Sequence, residues 1–465
     1  SSDLACQPEM IPGIVESLRN HFNTGITRSI EWRIQQLEGL YKILDENEEA
    51  WKQAMYDDMH THGYEASLMI ANCKSEIKDI IRNLPKWMTP KEIKNSIALY
   101  PGSTKLVPEP YGVVCDFIPY NYPMFLGFSS VATIFCAGNV CLFKPSSNTP
   151  ACAKLYQEVF PKYLDPEGIK VVCGPSSICD FILNERFDFI FYTGSPAIAK
   201  GVMAAAAKHL TPVLLELGGK SPVYVDKNVS LTKACKRLLF SKIFNGGQTC
   251  VAPDYCFVHQ DIFDKFKVEM VKVMNEFYGD VANEYNDQVT HIISKRHFDR
   301  LTRVIQTSGG KILIEGLRDP EKLYIGPTII ENPSFEAEIM KEEIFGPILP
   351  IIKCSGPEEA IKYICVHEKP LALYIYTSDE KVSQEFVSKT SSGSVVINDS
   401  VFQVSSPYSP FGGVGNSGMG QYHGKFGFRT LSHLKPVSTH STLIDVSLRY
   451  PPYTEGHANL MKKFL

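Results

Sequence analysis

The chain has 465 residues, of which 44% are hydrophobic and 21% are charged, a composition that supports a large buried core and excludes a disordered polypeptide. Lys and Arg number 47 and Asp and Glu number 51, so the net charge of −4 gives no reason to expect a nucleic-acid or membrane-surface partner. The 13 cysteines lie scattered, without a CxxC pair or a zinc-like cluster, which is typical of a protein in a reducing compartment. We therefore expect a cytoplasmic protein without a bound metal.

Neither a membrane span nor a processing signal is expected in this chain. No run of 18 apolar residues occurs, so the sequence predicts no transmembrane helix. The first ten residues lack the basic and apolar regions of a signal peptide, and the final residues, MKKFL, carry no lipidation motif.

The early part of the chain is predicted to be helical. Apolar residues recur at helical spacing over 11–18 and 32–44, and a third helix is expected through the seventies, with Pro85 near its end. The stretch 97–107 has the pattern of strands interrupted by a Pro-Gly pair, which predicts a hairpin.

After Pro110 the pattern becomes strand, turn and helix, repeated. Nearly continuous apolar runs predict strands that are covered on both faces. Their positions are 111–118, 139–144, 169–174, 187–194, 212–219 and 221–226. Helices are predicted between them, from Pro123, after Thr149, over 196–209 and over about 231–245. This alternation predicts an α/β fold with an open, mostly parallel sheet.

A cysteine in the segment FNGGQTCVAP (244–253) is a candidate nucleophile. Two glycines allow a tight turn after a predicted helix, and Cys250 follows that turn. A thiol at this position can act as a nucleophile if its pKa is lowered from about 8.5. The alternative is a buried structural cysteine, which is the commoner role of any single cysteine.

Three further segments carry polar groups in unusual places. Glu216 interrupts the apolar run LLELGG, where it is either a general base with a raised pKa or a structural carboxylate. Asn121, in PYNYP, follows a buried strand and is either an oxyanion donor or an ordinary turn residue. Glu343 and Phe345 precede a Gly-Pro turn in KEEIFGP, which read alone is a solvated acidic face.

One glycine motif is set aside as a chance match. The segment GVGNSG (413–418) fits the dinucleotide fingerprint GxGxxG, but a Ser/Pro-rich loop precedes it and no clear helix follows. We therefore do not expect it to hold a phosphate.

Taken together, these segments resemble the aldehyde dehydrogenase superfamily. LELGGKSP with Glu216, the cysteine of GGQTCVAP 34 positions later, the asparagine of PYNYP and the segment EEIFGP occur in the order found in that family. Other segments resemble its class 3, fatty-aldehyde-type branch, and the resemblance extends from about residue 20 to about residue 453. They are CVAPDY (250–255), EKPLALY (368–374), FGGVGNSGMG (411–420) and YHGK (422–425).

The resemblance implies an architecture of three parts. A modified Rossmann domain binds NAD or NADP, a second α/β domain holds the cysteine, and a small β segment bridges two subunits. The implied bounds are 1–86 with 108–210 for the cofactor domain, 211–418 for the catalytic domain, 87–107 with 419–445 for the oligomerisation segment, and 446–465 for a C-terminal tail. Class 3 enzymes are typically dimers, so the resemblance also implies a homodimer.

The resemblance implies the oxidation of an aldehyde to a carboxylic acid. Cys250 would attack the carbonyl carbon, and the side chain of Asn121 together with the backbone N–H of Cys250 would stabilise the oxyanion. After hydride has left for the cofactor, Glu216 would activate the water that hydrolyses the thioester. Glu216 could also help to deprotonate the thiol.

The cofactor contacts carry over by motif. Lys144, in FKPSS, would reach the adenosine ribose, and Gly194 and Ser195, in YTGSP, would lie near the pyrophosphate at a helix N-terminus. Glu343 would hold the nicotinamide ribose, with Phe345 beside it.

The sequence departs from the family at three positions. Ser147 replaces a carboxylate near the adenosine ribose; because a carboxylate there would repel a 2′-phosphate, we expect NADP to be accepted. Ala199 replaces a glycine at the helix start, and Tyr120 stands where Trp is frequent. None of these changes removes a catalytic group.

The substrate is predicted only as a class. The branch favours medium- to long-chain aliphatic and aromatic aldehydes, with Tyr122 and His423 as candidate pocket residues, although His423 is equally well explained as a structural histidine. Two other functions use the same features. A cysteine hydrolase needs no cofactor, and a structural protein recruited from an enzyme needs no catalysis.

Overall fold

Four β-sheets and the helices that cover them form the part of the chain described by the structure, a computed structural model covering residues 6–95, 99, 101–445, 447 and 450–464. Within these residues, no helix is both long enough and apolar enough to cross a membrane.

The helices and strands alternate through most of the chain. The α-helices of the described residues are α1 (Ile11–Asn23), α2 (Ile30–Glu46), α3 (Glu48–Met59), α4 (Gly63–Met88), α5 (Pro123–Cys136), α6 (Pro150–Tyr163), α7 (Ile178–Asn184), α8 (Pro196–Ala207), α9 (Leu231–Ile243), α10 (Phe263–Tyr278), α11 (Lys295–Gln306), α12 (Glu338–Lys341), α13 (Pro357–Cys365), α14 (Glu380–Lys389), α15 (Gly424–Thr430) and α16 (Glu455–Phe464). The strands are β1 (Lys91–Ile93), β2 (Ser103–Pro110), β3 (Val113–Phe117), β4 (Val140–Lys144), β5 (Ile169–Val171), β6 (Phe189–Gly194), β7 (Val213–Leu217), β8 (Pro222–Val225), β9 (Tyr255–His259), β10 (Lys311–Ile314), β11 (Arg318–Asp319), β12 (Tyr324–Ile325), β13 (Thr328–Glu331), β14 (Ile348–Cys354), β15 (Ala372–Tyr376), β16 (Ser394–Ile397), β17 (Gly418–Met419) and β18 (Ser432–Thr439).

The first sheet confirms the prediction of an open, mostly parallel α/β layer. Its strand order is β17-β7-β6-β3-β4-β5, and every neighbouring pair is parallel except β17 with β7. Side chains alternate across it: Val113 and Cys115 pack against α1, α7 and α8, whereas Val114 packs against the layer that contains α2 to α6. Both faces are therefore covered, which explains the continuous apolar runs in the sequence.

The second sheet has the order β10-β13-β14-β9-β8-β15-β16 and is parallel from β13 to β16. It is also covered on both faces. Val223 belongs to the core cluster of α9 and α10, whereas Tyr224 belongs to that of α11, α13 and α14. Strand β7 hydrogen-bonds to β6 and so extends the first sheet beyond residue 210, where the sequence prediction placed a domain boundary.

The early hairpin forms with a different first strand from the one predicted. Strand β1 pairs antiparallel with β2, whereas residues 96–98 and 100, which include the start of the predicted hairpin at Ile97, lie outside the described residues. Strand β18 then pairs with β2 from end to end, with Ser432 opposite Pro110 and Thr439 opposite Ser103. In the predicted tail, residues 446, 448, 449 and 465 lie outside the described residues, and α16 occupies most of the rest.

A buried ion pair joins the segment after β7 to the loops that lead into the second sheet. Lys220 Nζ donates to Asp254 Oδ1 and to the backbone oxygens of Ile339 at 2.8 Å and Glu342 at 2.9 Å. The other carboxylate oxygen, Asp254 Oδ2, accepts from the backbone N–H of Ile344 at 2.9 Å. Three loops therefore share one charged junction.

Removing Lys220 should destabilise the protein because it leaves Asp254 buried and uncompensated. We expect Lys220→Met to lower the free energy of unfolding by about 3 kcal/mol, measured by denaturant titration. Lys236→Met is the matched control, since its ion pair with Glu276 is largely exposed and should contribute less than about 1 kcal/mol. Equal losses in the two variants would contradict this role.

Candidate active site

The carboxyl edge of the first sheet meets the amino edge of the second. Strand β7, which carries Glu216, ends at Leu217, and only four residues separate it from the start of β8. Strand β9 runs parallel to β8, and the backbone N–H of Asp254 donates to the oxygen of Ser221 at 2.8 Å just before both strands begin. Cys250 lies in the loop that enters β9. The topology therefore brings Glu216 and Cys250 into one region.

A left-handed turn positions the loop of Cys250. After α9, Asn245, Gly246 and Gly247 have φ values of 54°, 61° and 72°. A Cβ atom on Gly247 would lie 2.2 Å from the carbonyl oxygen of Gly346, in the loop that follows Glu343. Glycine is therefore required there both by the backbone angle and by the close approach of a second backbone.

Asn121 is tied to the same loop by hydrogen bonds. Its Nδ2 donates to the backbone oxygen of Gln248 at 3.0 Å, and Asn245 Nδ2 donates to the backbone oxygen of Asn121 at 2.8 Å. The hydroxyl groups of Tyr122 and Thr249 lie 2.6 Å apart. An amide nitrogen carries two hydrogens, so the bond to Gln248 leaves Asn121 one donor for another acceptor.

The electrostatic environment of Cys250 favours the neutral thiol. Burial raises the pKa of Cys250, and the charges of Glu343 and Glu216 raise this pKa further. The sequence analysis required a lowered pKa for a free nucleophilic thiolate, and the environment within the chain acts in the opposite direction. A proton acceptor close to the sulfur is therefore needed before the thiol can react.

Glu216 is a buried carboxyl group whose hydrogen-bonding capacity is unused. It is 3% exposed, and neither of its carboxylate oxygens has a hydrogen-bond partner among the described residues. Burial therefore raises the pKa of Glu216 well above its ordinary value. A buried carboxyl group with a raised pKa and free oxygens is suited to exchange a proton with a neighbouring group or water.

Glu343 lies beside the same connection. The backbone N–H of Gly219 donates to its carboxylate, and a Cβ on Gly218 would lie 2.2 Å from its Oε2. Burial raises the pKa of Glu343 to about 8, with the negative charge of Asp254 adding to the shift. Phe345 has a φ of 52°, and its ring makes an edge contact with Tyr120 at 6.0 Å.

The candidate cofactor residues of the first sheet all lie at its carboxyl edge. Lys144 ends β4 and donates from Nζ to the oxygen of Pro145 at 2.7 Å, and Ser147 is exposed three residues later. Gly194 ends β6, and Ser195 caps α8 by accepting from the N–H of Ile198 at 3.5 Å. Open parallel sheets bind dinucleotides at this edge, so the residues present fit a nicotinamide dinucleotide.

A mostly apolar cavity opens onto Cys250. Tyr122 and His423, the two candidate pocket residues, line it. The sequence analysis missed its other walls, because they come from parts of the chain that are far apart and carry no motif. They are Leu68, Met69 and Asn72 of α4, Phe125 and Leu126 of α5, Phe240 and Phe244 near the end of α9, Thr249 and Val251 beside Cys250, and Val401, Phe402, Val404, Ser405, Phe411 and Tyr422.

His423 has a structural partner as well as a place in the cavity wall. Its Nδ1 lies 2.7 Å from Glu76 Oε1, and the other oxygen of Glu76 accepts from Ser129 Oγ at 2.7 Å. The ring stacks on Tyr422 with a centroid distance of 4.2 Å. Glu76 was not identified from the sequence, since a Glu on a helix gives no signal of a contact with a residue 347 positions later.

The glycine motif at 413–418 does not form a strand-turn-helix unit. Gly418 begins β17, which pairs antiparallel with β7 so that Gly418 lies opposite Glu216. A Cβ on Gly418 would lie 2.1 Å from the oxygen of Leu215. This glycine therefore allows a backbone to pack against the strand of Glu216.

Comparison with known proteins identifies one family along nearly the whole chain. The model of the aldehyde dehydrogenase family matches residues 5–437. The chain is 40% identical over 453 residues to aldehyde dehydrogenase family 3 member H1 of Arabidopsis thaliana, covering 97% of this chain and 93% of that protein. It is also 40% identical to the aldehyde dehydrogenase of Canis lupus familiaris named dimeric and NADP-preferring, covering 95% of this chain and 98% of that protein.

A solved structure shares the fold over nearly the whole chain. The substrate-bound state of Staphylococcus aureus AldH matches with a TM-score of 0.94 and 35% identity, over 98% of this chain and 99% of that chain. The chain therefore belongs to the aldehyde dehydrogenase family, and it is an enzyme that oxidises aldehydes with NAD or NADP.

Proposed function

We propose that this enzyme oxidises medium- to long-chain aliphatic or aromatic aldehydes to carboxylic acids through a covalent intermediate on Cys250. The observation that carries the proposal is that Cys250 lies in the wall of an apolar cavity, with an unpartnered buried carboxyl group, Glu216, among its electrostatic neighbours. A nucleophile, a proton acceptor and a water-excluding pocket together suit acyl transfer.

The first step is the attack of Cys250 Sγ on the carbonyl carbon of the aldehyde. The thiol proton passes to the ionised form of Glu216, because burial raises the pKa of Glu216 and so makes its carboxylate a stronger base than an exposed one. The carbonyl oxygen becomes an oxyanion, which the remaining Nδ2 hydrogen of Asn121 and the backbone N–H of Cys250 stabilise. Removing one such donor typically costs about 10²–10³ in rate.

The oxyanion then collapses, hydride leaves the substrate carbon, and a thioester remains on Cys250. A bound oxidised nicotinamide ring supplies the acceptor for this hydride. Lys144, Gly194 and Ser195 would hold the adenosine and pyrophosphate parts at the carboxyl edge of the first sheet. Glu343 and Phe345 would hold the nicotinamide ribose, and the Gly218 and Gly219 backbone fixes the carboxylate of Glu343 in place.

Glu216 acts a second time in the hydrolysis of the thioester. Glu216 first releases the thiol proton to solvent. Its carboxylate then accepts a proton from water as the water attacks the acyl carbon, and it passes this proton to the sulfur as the C–S bond breaks, so that the carboxylic acid leaves and Cys250 returns to the thiol. Since both oxygens of Glu216 lack partners within the described residues, either one is available to orient this water.

The cavity wall supports the substrate class. Its aromatic and aliphatic side chains favour an apolar aldehyde body, and each buried methylene contributes about 0.8 kcal/mol of binding. Tyr122 and His423 are the pocket residues that we retain from the sequence analysis.

The assembly and location are also proposals. We infer a homodimer in which the β1-β2-β18 sheet bridges subunits, supported by exposed Val437 on β18 and exposed Val395 and Ile397 on the edge strand β16. We also keep the three-part division, with the second domain beginning after β7 rather than at residue 211. A cytoplasmic location follows from the cysteine pattern alone.

Replacing the proposed nucleophile should abolish dehydrogenation. We expect Cys250→Ser to lower NADH and NADPH formation at least about 10³-fold, followed by absorbance over an aldehyde chain-length series. In the wild type, kcat/KM should rise up to about fourfold per methylene. Cys365→Ser, which changes an exposed thiol, is the control and should leave both rates unchanged. Unchanged turnover in Cys250→Ser would refute the proposal.

Glu216→Gln should slow both halves of the reaction. We expect its steady-state rate to fall about 10²–10⁴-fold and the first turnover of NADH to become slower as well, because Glu216 serves both in the deprotonation of Cys250 and in the hydrolysis of the thioester. A raised pKa means that the base ionises only as pH rises, so the wild-type rate should increase with pH and this limb should vanish in Glu216→Gln. Asp116→Asn removes another buried carboxyl, whose pKa burial raises to about 8, and should retain the limb.

Ser147 should help to decide the cofactor preference. We expect Ser147→Glu to lower kcat/KM for NADP at least about tenfold relative to NAD, because a carboxylate repels the 2′-phosphate. Ser147→Gln, similar in size and neutral, should keep the wild-type ratio. A wild-type enzyme that cannot turn over with NADP would contradict this expectation.

A further inference from the structure

A second pocket lies at the C-terminal ends of α4 and α15, whereas the active-site cavity lies near the N-terminal ends of these two helices. It is formed by the last turns of α4, by α15 and by one face of the β1-β2-β18 sheet. We call it the basic pocket. It is lined by Asn83, Lys86, Trp87, Thr89, Lys91, Leu106, Pro108, Lys425, Phe428, Arg429 and Leu434.

Four cations line this pocket without balancing charges. No ion-pair partner is found among the described residues for any of the four, which are Lys86, Lys91, Lys425 and Arg429. The positive charges of Arg429 and Lys91 lower the pKa of Lys425, as expected for like charges held close together.

Neighbouring cations on the same elements behave differently. Arg82 pairs with Asp79 on α4, Lys105 pairs with Glu92 across the β1-β2 hairpin, and Lys435 on β18 pairs with Glu109. Cations next to the basic pocket therefore have acidic partners, whereas the four cations that line it have none among the described residues. Unbalanced like charges at a concave surface indicate a site for an anion.

The rest of the pocket is apolar. Pro108 is the cross-strand partner of Leu434, and Leu106 is two residues from Pro108, so these three side chains lie on one face of the sheet. The rings of Trp87 and Phe428 also line the pocket and lie 5.9 Å apart. Leu434 is 41% exposed, which is high for a large apolar side chain in a concave surface.

We propose that the basic pocket binds a single amphiphilic anion, with an alkyl chain against Trp87 and Leu434 and a phosphate head group among the four cations. A phosphate monoester carries about −1.5 to −2 charges near neutral pH and offers three acceptor oxygens, which suits several cations better than a single carboxylate does.

This site is separate from the aldehyde cavity. Met69 lines that cavity and Trp87 lines the basic pocket, and at 1.5 Å per residue the two lie about 27 Å apart along α4. Glu76 and His423 lie between them and join α4 to the start of α15. A ligand in one pocket therefore does not occupy the other.

Trp87 provides a direct readout. The chain contains three tryptophans, and Trp32 and Trp51 are 4% and 0% exposed, whereas Trp87 is half-buried at the pocket wall. We expect dodecyl phosphate, titrated below its micelle concentration, to change the tryptophan emission of the full-length protein. Trp87→Phe should remove this change but leave binding detectable by calorimetry.

The charge dependence tests the assignment. We expect the double variant Lys86→Glu with Arg429→Glu to weaken dodecyl phosphate binding at least tenfold. The variant Lys233→Glu makes the same kind of charge change on α9, at an exposed lysine, and should bind as the wild type does. The double variant should keep its wild-type kcat, which also shows that it folds.

Three results would overturn the proposal. The first is equal affinity in the double variant and the wild type. The second is inhibition that is competitive with aldehyde and unaffected by the double variant, which would place the ligand in the active-site cavity. The third is cosedimentation with phosphatidic acid vesicles without any binding of monomeric dodecyl phosphate, which would indicate a membrane surface as the partner.

Discussion

The four-residue connection from β7 to β8 is the constraint on which the site depends. It requires the carboxyl edge of one parallel sheet to lie against the amino edge of the other, so a strand end and a strand-entry loop share one region. Lys220 and Asp254 hold this junction, and the left-handed turn before Cys250 closes against the Gly346 backbone. Glu216 and Cys250 are close because the short connection leads from the strand of Glu216 into β8, and the loop of Cys250 enters β9 beside β8.

That geometry explains why the electrostatics of the free enzyme disfavour charge. Glu216 is buried, Glu343 and Cys250 are half-buried, and the loss of solvent raises the pKa of each. Three anions placed this close together would repel one another, so the free enzyme favours the protonated forms of these groups. The reaction must then transfer those protons. Hydrogen bonds to Glu216 would stabilise the protein, but they would also fix the carboxyl group and occupy its oxygens. The two oxygens without a partner among the described residues are consistent with a functional rather than a structural role.

Much of the fold could be predicted from the sequence because strands covered on both faces are nearly continuous runs of apolar residues. The runs around Val114 and Val223 indicated buried strands, and their alternation with helices indicated a parallel sheet. The strand Lys91–Ile93 was not predicted because short exposed strands have no apolar pattern. The cavity wall was missed for a related reason: Met69 and Phe402 are ordinary apolar residues until the fold brings them together. The motifs identified the candidate catalytic residues. They did not predict the protonation states of these residues, because those depend on burial in the folded chain.

The β2-β18 pairing has a consequence for how the chain acquires its structure during synthesis. Strand β2 hydrogen-bonds along its whole length to residues more than 320 positions later, so its partner leaves the ribosome long after it does. Until then β2 has only the three-residue strand β1 beside it and presents a free edge, the kind of surface on which nascent chains associate wrongly. Such non-local closure is slow because a large loop must be ordered first. The small sheet is therefore expected to be the last part of the described structure to form.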